Sequence, residues 1–325
     1  MEERMSEENI IDEKAEYDAT FAGSQAEAIR AAIAASPRPL STGLANVDRM
    51  LDGGFDYGKL YVLASAPAMG KTTLALQMAT SLSAQGHDVL YVALEQDREA
   101  LTLKGVSRCT REISEVDALT TWQLKEADRE DCRAHLSDGQ LATLELAKER
   151  HAEQAARLKF IDRPTSIDEL ERLVDRHERL RGNTPCVVLD YLQLLSLIGE
   201  SDKQKCLSIS DRDNNNVMRL KKLAFKHKIP ILVLTSVCST SYYTSVSLES
   251  LNHAGGIENT ADVVLGLQPS KYSFNDSRAG KRAMAETMAK DVREMSLSCV
   301  KNRDGKFGKV DLIYKSSYSL FEEMK

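Results

Sequence analysis

The stretch SAPAMGKTT, residues 65 to 73, sets a flexible Gly70 before Lys71, Thr72 and Thr73. That order suits the chemistry of phosphate binding. Backbone N–H groups at a helix start point into a concavity, the lysine reaches the β- and γ-phosphates, and the hydroxyl ligates magnesium. Ser65, Ala66, Pro67, Ala68, Met69 and Gly70 would form the loop itself. Ser65 stands where the pattern G-x-x-x-x-G-K-[ST] has its first glycine, and a small serine serves there if that residue only eases the turn.

Hydrolysis of a bound nucleotide needs a second metal-holding carboxylate and a group that orients water. The run CVVLDYLQLL (186–195) offers Asp190 at the end of four apolar residues, which is a Walker B pattern if its strand lies beside the loop strand. The run LYVALEQD (90–97) offers Glu95, assigned here to activating water. A solvated residue after a strand would carry the same signal. Ligands sit at the carboxyl ends of parallel strands, so both acids would emerge on the edge that holds Lys71.

These side chains need a scaffold. LYVLASA (60–66) reads as a strand, and KTTLALQMATSLSAQ (71–85) has helical spacing at Leu74, Met78 and Leu82. DVLYVALE (88–95), LKFID (158–162), CVVLDYLQLL, IPILVLTS (229–236) and ADVVLGLQ (261–268) are short apolar runs separated by helical stretches. That alternation predicts an α/β fold with a mostly parallel twisted sheet and helices on both faces. LSCVKNRDGKFGKVDLIYKSS (297–317) reads as a C-terminal β-hairpin around Asp304-Gly305. The charged run 277–294 reads as an exposed helix or loop. Residues 107 to 156 form a charged, helical insertion, either a solvated face or a docking surface.

Composition is ordinary for a globular protein, with 42% hydrophobic and 28% charged residues. The formal net charge of −6 sits in residues 1 to 24, read as an acidic disordered leader, so the remainder is balanced. Six scattered cysteines without a C-x-x-C pair point to reduced thiols in a cytoplasm. No apolar run reaches membrane-spanning length, and the start of the chain lacks a signal peptide's apolar stretch. QAEAIRAAIAAS (25–36) reads as a short helix stopped by Pro37 and Pro39.

Together these strings resemble the C-terminal motor domain of DnaB-like replicative helicases, a branch of the RecA-type ATPases. LSTGLANVDRMLDGGFDYGKLYVLASAPAMGKTTLALQ, YVALEQ, VVLDYLQLL, GGIENTADVVLGLQ and VKNRDGKFGKVDLIY resemble successive family blocks, from about residue 40 to the end. The resemblance implies an ATP- and Mg2+-dependent DNA helicase or translocase on single-stranded DNA, acting in replication as a ring, hexameric by expectation. It implies that Lys301 and Arg303 act on the γ-phosphate of the adjacent subunit, that residues 25 to 39 are a linker helix before a motor at 40 to 325, and that primase or another replication protein is a partner. It also implies a short, motor-only member of the phage or mobile-element kind. Residues i and i+2 of a strand point the same way, so Lys301 and Arg303 would converge. The chain departs from the family where Ser236 takes the γ-phosphate sensor position, Cys238 and Ser239 replace Asn-Arg, and Asn252 and His253 replace a channel-loop arginine and glutamate. A nucleotide-switched binding or recombination ATPase, and a partner-dependent helicase-like subunit, remain alternative functions.

Overall fold

Six residues of strand β1 (Leu60–Ser65) are buried without exception, as a run apolar on both faces demands. It pairs in parallel with β5 (Ile231–Ser236) on one edge and β6 (Val263–Pro269) on the other. The computed structural model describes residues 29, 30, 33, 34, 36–127, 136–195, 209–270 and 277–324, and the side chains of 209, 210, 252–255, 277 and 283 lie outside that description. Of the expected linker helix, Ile29, Arg30, Ile33 and Ala34 are helical, and its other residues up to 28, with 31, 32 and 35, lie outside the described set, as does the acidic leader.

Among the described residues, nine strands form one sheet in the order β3-β2-β4-β5-β1-β6-β7-β8-β9. The first six in that order are β3 (Leu158–Ile161), β2 (Val89–Ala93), β4 (Cys186–Asp190), β5, β1 and β6, all parallel. One expectation fails here. β4 does not lie beside the loop strand, because β5 takes the place between them. The apolar run of β5 pairs through Ile231–Val233 with Val187–Leu189, and through its full length with β1.

β7 (Val292–Asn302), β8 (Gly308–Lys315) and β9 (Leu320–Glu323) continue the sheet antiparallel. The expected hairpin is therefore present, but β7 starts earlier than the apolar pattern suggested, and a third strand follows. The charged run before it divides into a helix, Ser277–Met288, and the first residues of β7.

Helices α1 (Ala45–Met50), α2 (Lys71–Ala84), α3 (Arg98–Ile113), α4 (Thr121–Ala127), α5 (Asp138–Gln154), α6 (Ile167–Arg181), α7 (Leu192–Leu195), α8 (Ile209–His227), α9 (Gly255–Thr260) and α10 (Ser277–Met288) connect the strands. Their ends follow local chemistry. Asp97 caps α3 through Ala100 N–H, and Ser137 and Gln140 form a capping box on α5. α3, α4 and α5 make up the charged insertion. They are not merely solvated, because they bury a small core of their own from Val106, Cys109, Leu119, Leu124, Leu144 and Ala147. Among the described residues, no helix is long and apolar enough to cross a membrane.

Candidate nucleotide site

The chain leaves β1 at Ser65 and enters α2 at Lys71, and the loop between them opens a cleft of about 870 Å³. Ser65 is fully buried, and its Oγ donates to the Ala66 carbonyl at 2.7 Å. The left-handed residues are Ala68, at φ 61°, and Gly70, at φ 92°; Ser65 is not among them. That is why a serine suffices at the first position, whereas Gly70 has a conformation that favours glycine. Met69 is buried under the loop, and Pro67 and Ala68 are exposed on it. Gly70 offers no side-chain cap to α2. The first-turn N–H groups are thus left for an anion, which the helix dipole favours.

Lys71, Thr72 and Thr73 line the cleft with Glu95 and Ser236. Lys71 Nζ lies 3.4 Å from the carbonyls of both Ser65 and Ala66. Burial pulls its pKa down, against the attraction of Asp190 and Glu95. Asp190 is 2% exposed. Burial raises its pKa, although the hydroxyls of Thr72 and Tyr91 hydrogen-bond to it, the latter at 3.0 Å. A threonine hydroxyl and a buried carboxylate in contact are a fitting donor pair for a hard cation such as Mg2+. Thus Lys71, Thr72 and Glu95 line one cleft and Asp190 joins them through Thr72, although its strand β4 is not beside β1.

Lys301 and Arg303 do not line this cleft. Lys301 Nζ donates to the carbonyls of Glu258 and Ala261 at 2.7 and 2.6 Å. Arg303 donates to Asn259 O at 3.0 Å and lies 3.3 Å from Asp262 Oδ1. The two do share one side of the chain, around the C-terminal end of α9. Burial and the neighbouring Arg303 lower the Lys301 pKa. Of the other unusual positions, Cys238 and Ser239 line the cleft, while the side chains of Asn252 and His253 lie outside the described set.

Sequence reasoning missed several groups. Lys104, on α3, reaches the cleft, and burial lowers its pKa while Asp190 and Glu95 attract it. Gln193 donates to Thr235 Oγ1 at 2.7 Å, and its own Oε1 is buried without a hydrogen-bond partner beside the cleft. Arg293 of β7 donates to Ala68 O at 3.3 Å and lies 5.6 Å from the Tyr314 ring centre. Tyr314 and Phe321 stack at 4.3 Å beneath Gly70, and Gln77 of α2 holds both the N–H and the carbonyl of Phe321. The i,i+9 offset of Lys104 from Glu95 carried no signal, since it falls in a polar helix.

Comparison with known proteins gives the fold and the family. The chain is 27% identical over 309 residues to a replicative DNA helicase DnaB of Rickettsia prowazekii, covering 88% of this chain and 58% of that protein. It is 23% identical over 291 residues to the DnaB of Geobacillus stearothermophilus, covering 88% and 57%. The chain thus spans a little over half the length of these relatives. Among solved structures it is similar to an ATPase domain, with a TM-score of 0.74 and 21% identity over 94% of this chain and all of that one. It is similar also to a DnaB-like replicative helicase described with its primase interactions, at 0.75 and 19%, over 98% and 72%. The fold is therefore RecA-type. The family model for the DnaB-like helicase C-terminal domain matches residues 39–323, and the chain belongs to that family.

Proposed function

We propose that this chain is an ATP-driven motor that moves along single-stranded DNA as a ring and unwinds duplex DNA in replication. The observation that carries this is the convergence of Lys71, Thr72 and Glu95 on one cleft, with buried Asp190 hydrogen-bonded by Thr72, in a chain of this family. In this reading the first-turn N–H groups of α2 and the loop from Ser65 to Gly70 bind the phosphates, and Lys71 holds the β- and γ-oxygens. Thr72 and Asp190 hold Mg2+, which when bound neutralises charge on the phosphates. Glu95 orients the attacking water and takes its proton. Ser236, at the end of β5, contacts the γ-phosphate. Lys104 adds a cation beside Glu95 and Asp190.

Lys301 and Arg303 serve the neighbouring subunit's nucleotide, which agrees with their place outside the chain's own cleft. A ring, expected to be hexameric, follows from that division. Residues 25 to 39 would form the linker helix and 40 to 325 the motor. One structural neighbour is described with primase, which makes primase, or another replication protein, a proposed partner. Such a role belongs in the cytoplasm.

A nucleotide-switched binding ATPase without unwinding activity is the second reading. Uncharged Ser239 at the cleft, where the family pattern has arginine, favours it, since a missing basic group removes a charge-assisted phosphate contact. Steady-state ATP hydrolysis with and without circular single-stranded DNA, at one stated salt concentration, separates the two, with Lys71→Ala as control. Stimulation by DNA supports the motor. Hydrolysis without stimulation overturns it in favour of the switch.

A further inference from the structure

Away from the cleft, α6 and α8 lie side by side with opposite charges facing. Arg219 of α8 meets Asp168 of α6, and Lys226 donates to Glu171 at 2.7 Å. The row ends at His227, the last residue of α8, whose side chain is 7% exposed. Its Nδ1 lies 2.9 Å from Glu178 Oε1. Its Nε2 is buried without a hydrogen-bond partner among the described residues and lies 3.6 Å from Asp175 Oδ1. Asp175 and Glu178, three residues apart, share one face of α6. One ligand atom from each of the three residues lies within 4.8 Å of the other two, and among the described residues this is the one such His-carboxylate group.

The hydrogen bond to Glu178 fixes the ring. In the neutral tautomer with Nδ1–H donating there, Nε2 carries a lone pair, 3.6 Å from Asp175 Oδ1. A carboxylate that orients a histidine whose other nitrogen is unbonded is the usual outer support of a metal-binding imidazole. The 3.6 Å gap is too long for a hydrogen bond. It matches the ligand-to-ligand edge of about 3.4 Å in a tetrahedron with bonds of roughly 2.0–2.2 Å. A cation there would also lie at the C-terminal, negative end of the α8 dipole, since His227 is the last residue of that helix. A protonated His227 bridging both acids is the competing account. It leaves unexplained why Asp175, with a side chain 51% exposed, stands 3.6 Å from Nε2 rather than at hydrogen-bond distance.

We propose that His227 Nε2 and Asp175 bind one first-row divalent cation of the Zn2+ class, with Glu178 holding the ring and water completing the shell. The ion fastens the last turn of α8 to α6, while Asp213, near the other end of α8, lines the nucleotide cleft. The test is calorimetric titration of the nucleotide-free full chain with Zn2+, paired with thermal unfolding with and without Zn2+. The wild type is expected to take up one ion that raises its unfolding temperature. Asp175→Asn, on the exposed face of α6, should remove that ion without unfolding the chain, and His227→Gln should do the same. Glu178→Ala should weaken binding by about 10- to 100-fold, as lost outer-shell partners do. No uptake by the wild type, or uptake and thermal shift unchanged in Asp175→Asn, overturns the site and leaves His227 as an imidazolium bridge.

Discussion

Replacing Gly70 with alanine tests the loop at its tightest point. At φ 92° an alanine costs about 1–2 kcal/mol through its clash with the backbone. The new methyl would also sit 2.9 Å from Phe321 Cζ and 3.0 Å from Tyr314 Cε1, and overpacking of that kind costs about 1–3 kcal/mol. The rings have little room to retreat, because they are stacked together and Phe321 is 1% exposed. The two terms sum to about 2–5 kcal/mol. If the loop keeps its shape, that sum appears as lost stability. If the loop shifts instead, it appears as lost nucleotide affinity, about 30- to 4,000-fold at 1.4 kcal/mol per decade. Fluorescent-nucleotide titration and thermal unfolding of the same preparation read both. Adding Phe321→Leu should recover only the Phe321 part of the contact share and leave the Tyr314 contact and the backbone share, so a double-mutant cycle should show coupling. Wild-type affinity together with wild-type stability in Gly70→Ala would refute the reasoning, and complete rescue by Phe321→Leu would refute the backbone term.

Arg303→Ala should keep nucleotide binding and lose about 10³- to 10⁵-fold in turnover, as removal of a finger supplied in trans does, and unchanged turnover would take the ring out of the account. Lys104→Met should lower the hydrolysis rate at saturating ATP by at least about tenfold if its charge serves developing negative charge beside Glu95; an effect on stability alone would make it structural. Asp88 gives a pH prediction. Burial alone would raise its pKa, but hydrogen bonds from Arg181, Asn183 and Arg157 outweigh that and bring it from its ordinary 3.8 to about 2. A depressed acid contributes stability above its unfolded pKa and loses it on acidification. The wild type should therefore lose stability more steeply than Asp88→Asn between about pH 3.8 and about 2, measured by denaturant unfolding at each pH. Parallel curves would show that the cluster does not stabilise the fold.

What the sequence could say depended on distance along it. Lys71 and Thr72 were legible because a strand, a short loop and a helix follow each other directly. Glu95 and Asp190 were legible because each ends an apolar run, and parallel strands present their ends on one edge. The position of β5 between β1 and β4 was not, since an apolar run records that a strand is buried but not which strands flank it. Lys104 was hidden for a different reason. A lysine in a polar helix has the pattern of a solvated face until packing turns that helix over the cleft. Lys301 and Arg303 do share one side of the chain, but strand alternation is not the reason, because β7 ends at Asn302 and Arg303 lies beyond it, against Asn259 and Asp262. The aromatic pair under Gly70 could not be found at all, because Tyr314 and Phe321 become neighbours of the loop only through the antiparallel extension of the sheet.

That brace sets an order of events during synthesis. Gln77 of α2 and Phe321 of β9 are 244 residues apart, which at about 5–20 residues per second is roughly 10 to 50 s of translation. The phosphate loop and its helix thus leave the ribosome long before the strand that supports them. A nascent chain would hold every residue expected to touch the chain's own nucleotide and still lack the floor beneath Gly70. If the cleft binds nucleotide as proposed, that competence should arrive as a late step, coupled to the pairing of β9 with β8. Truncation before Leu320 should then cost nucleotide binding first, although it removes none of those residues.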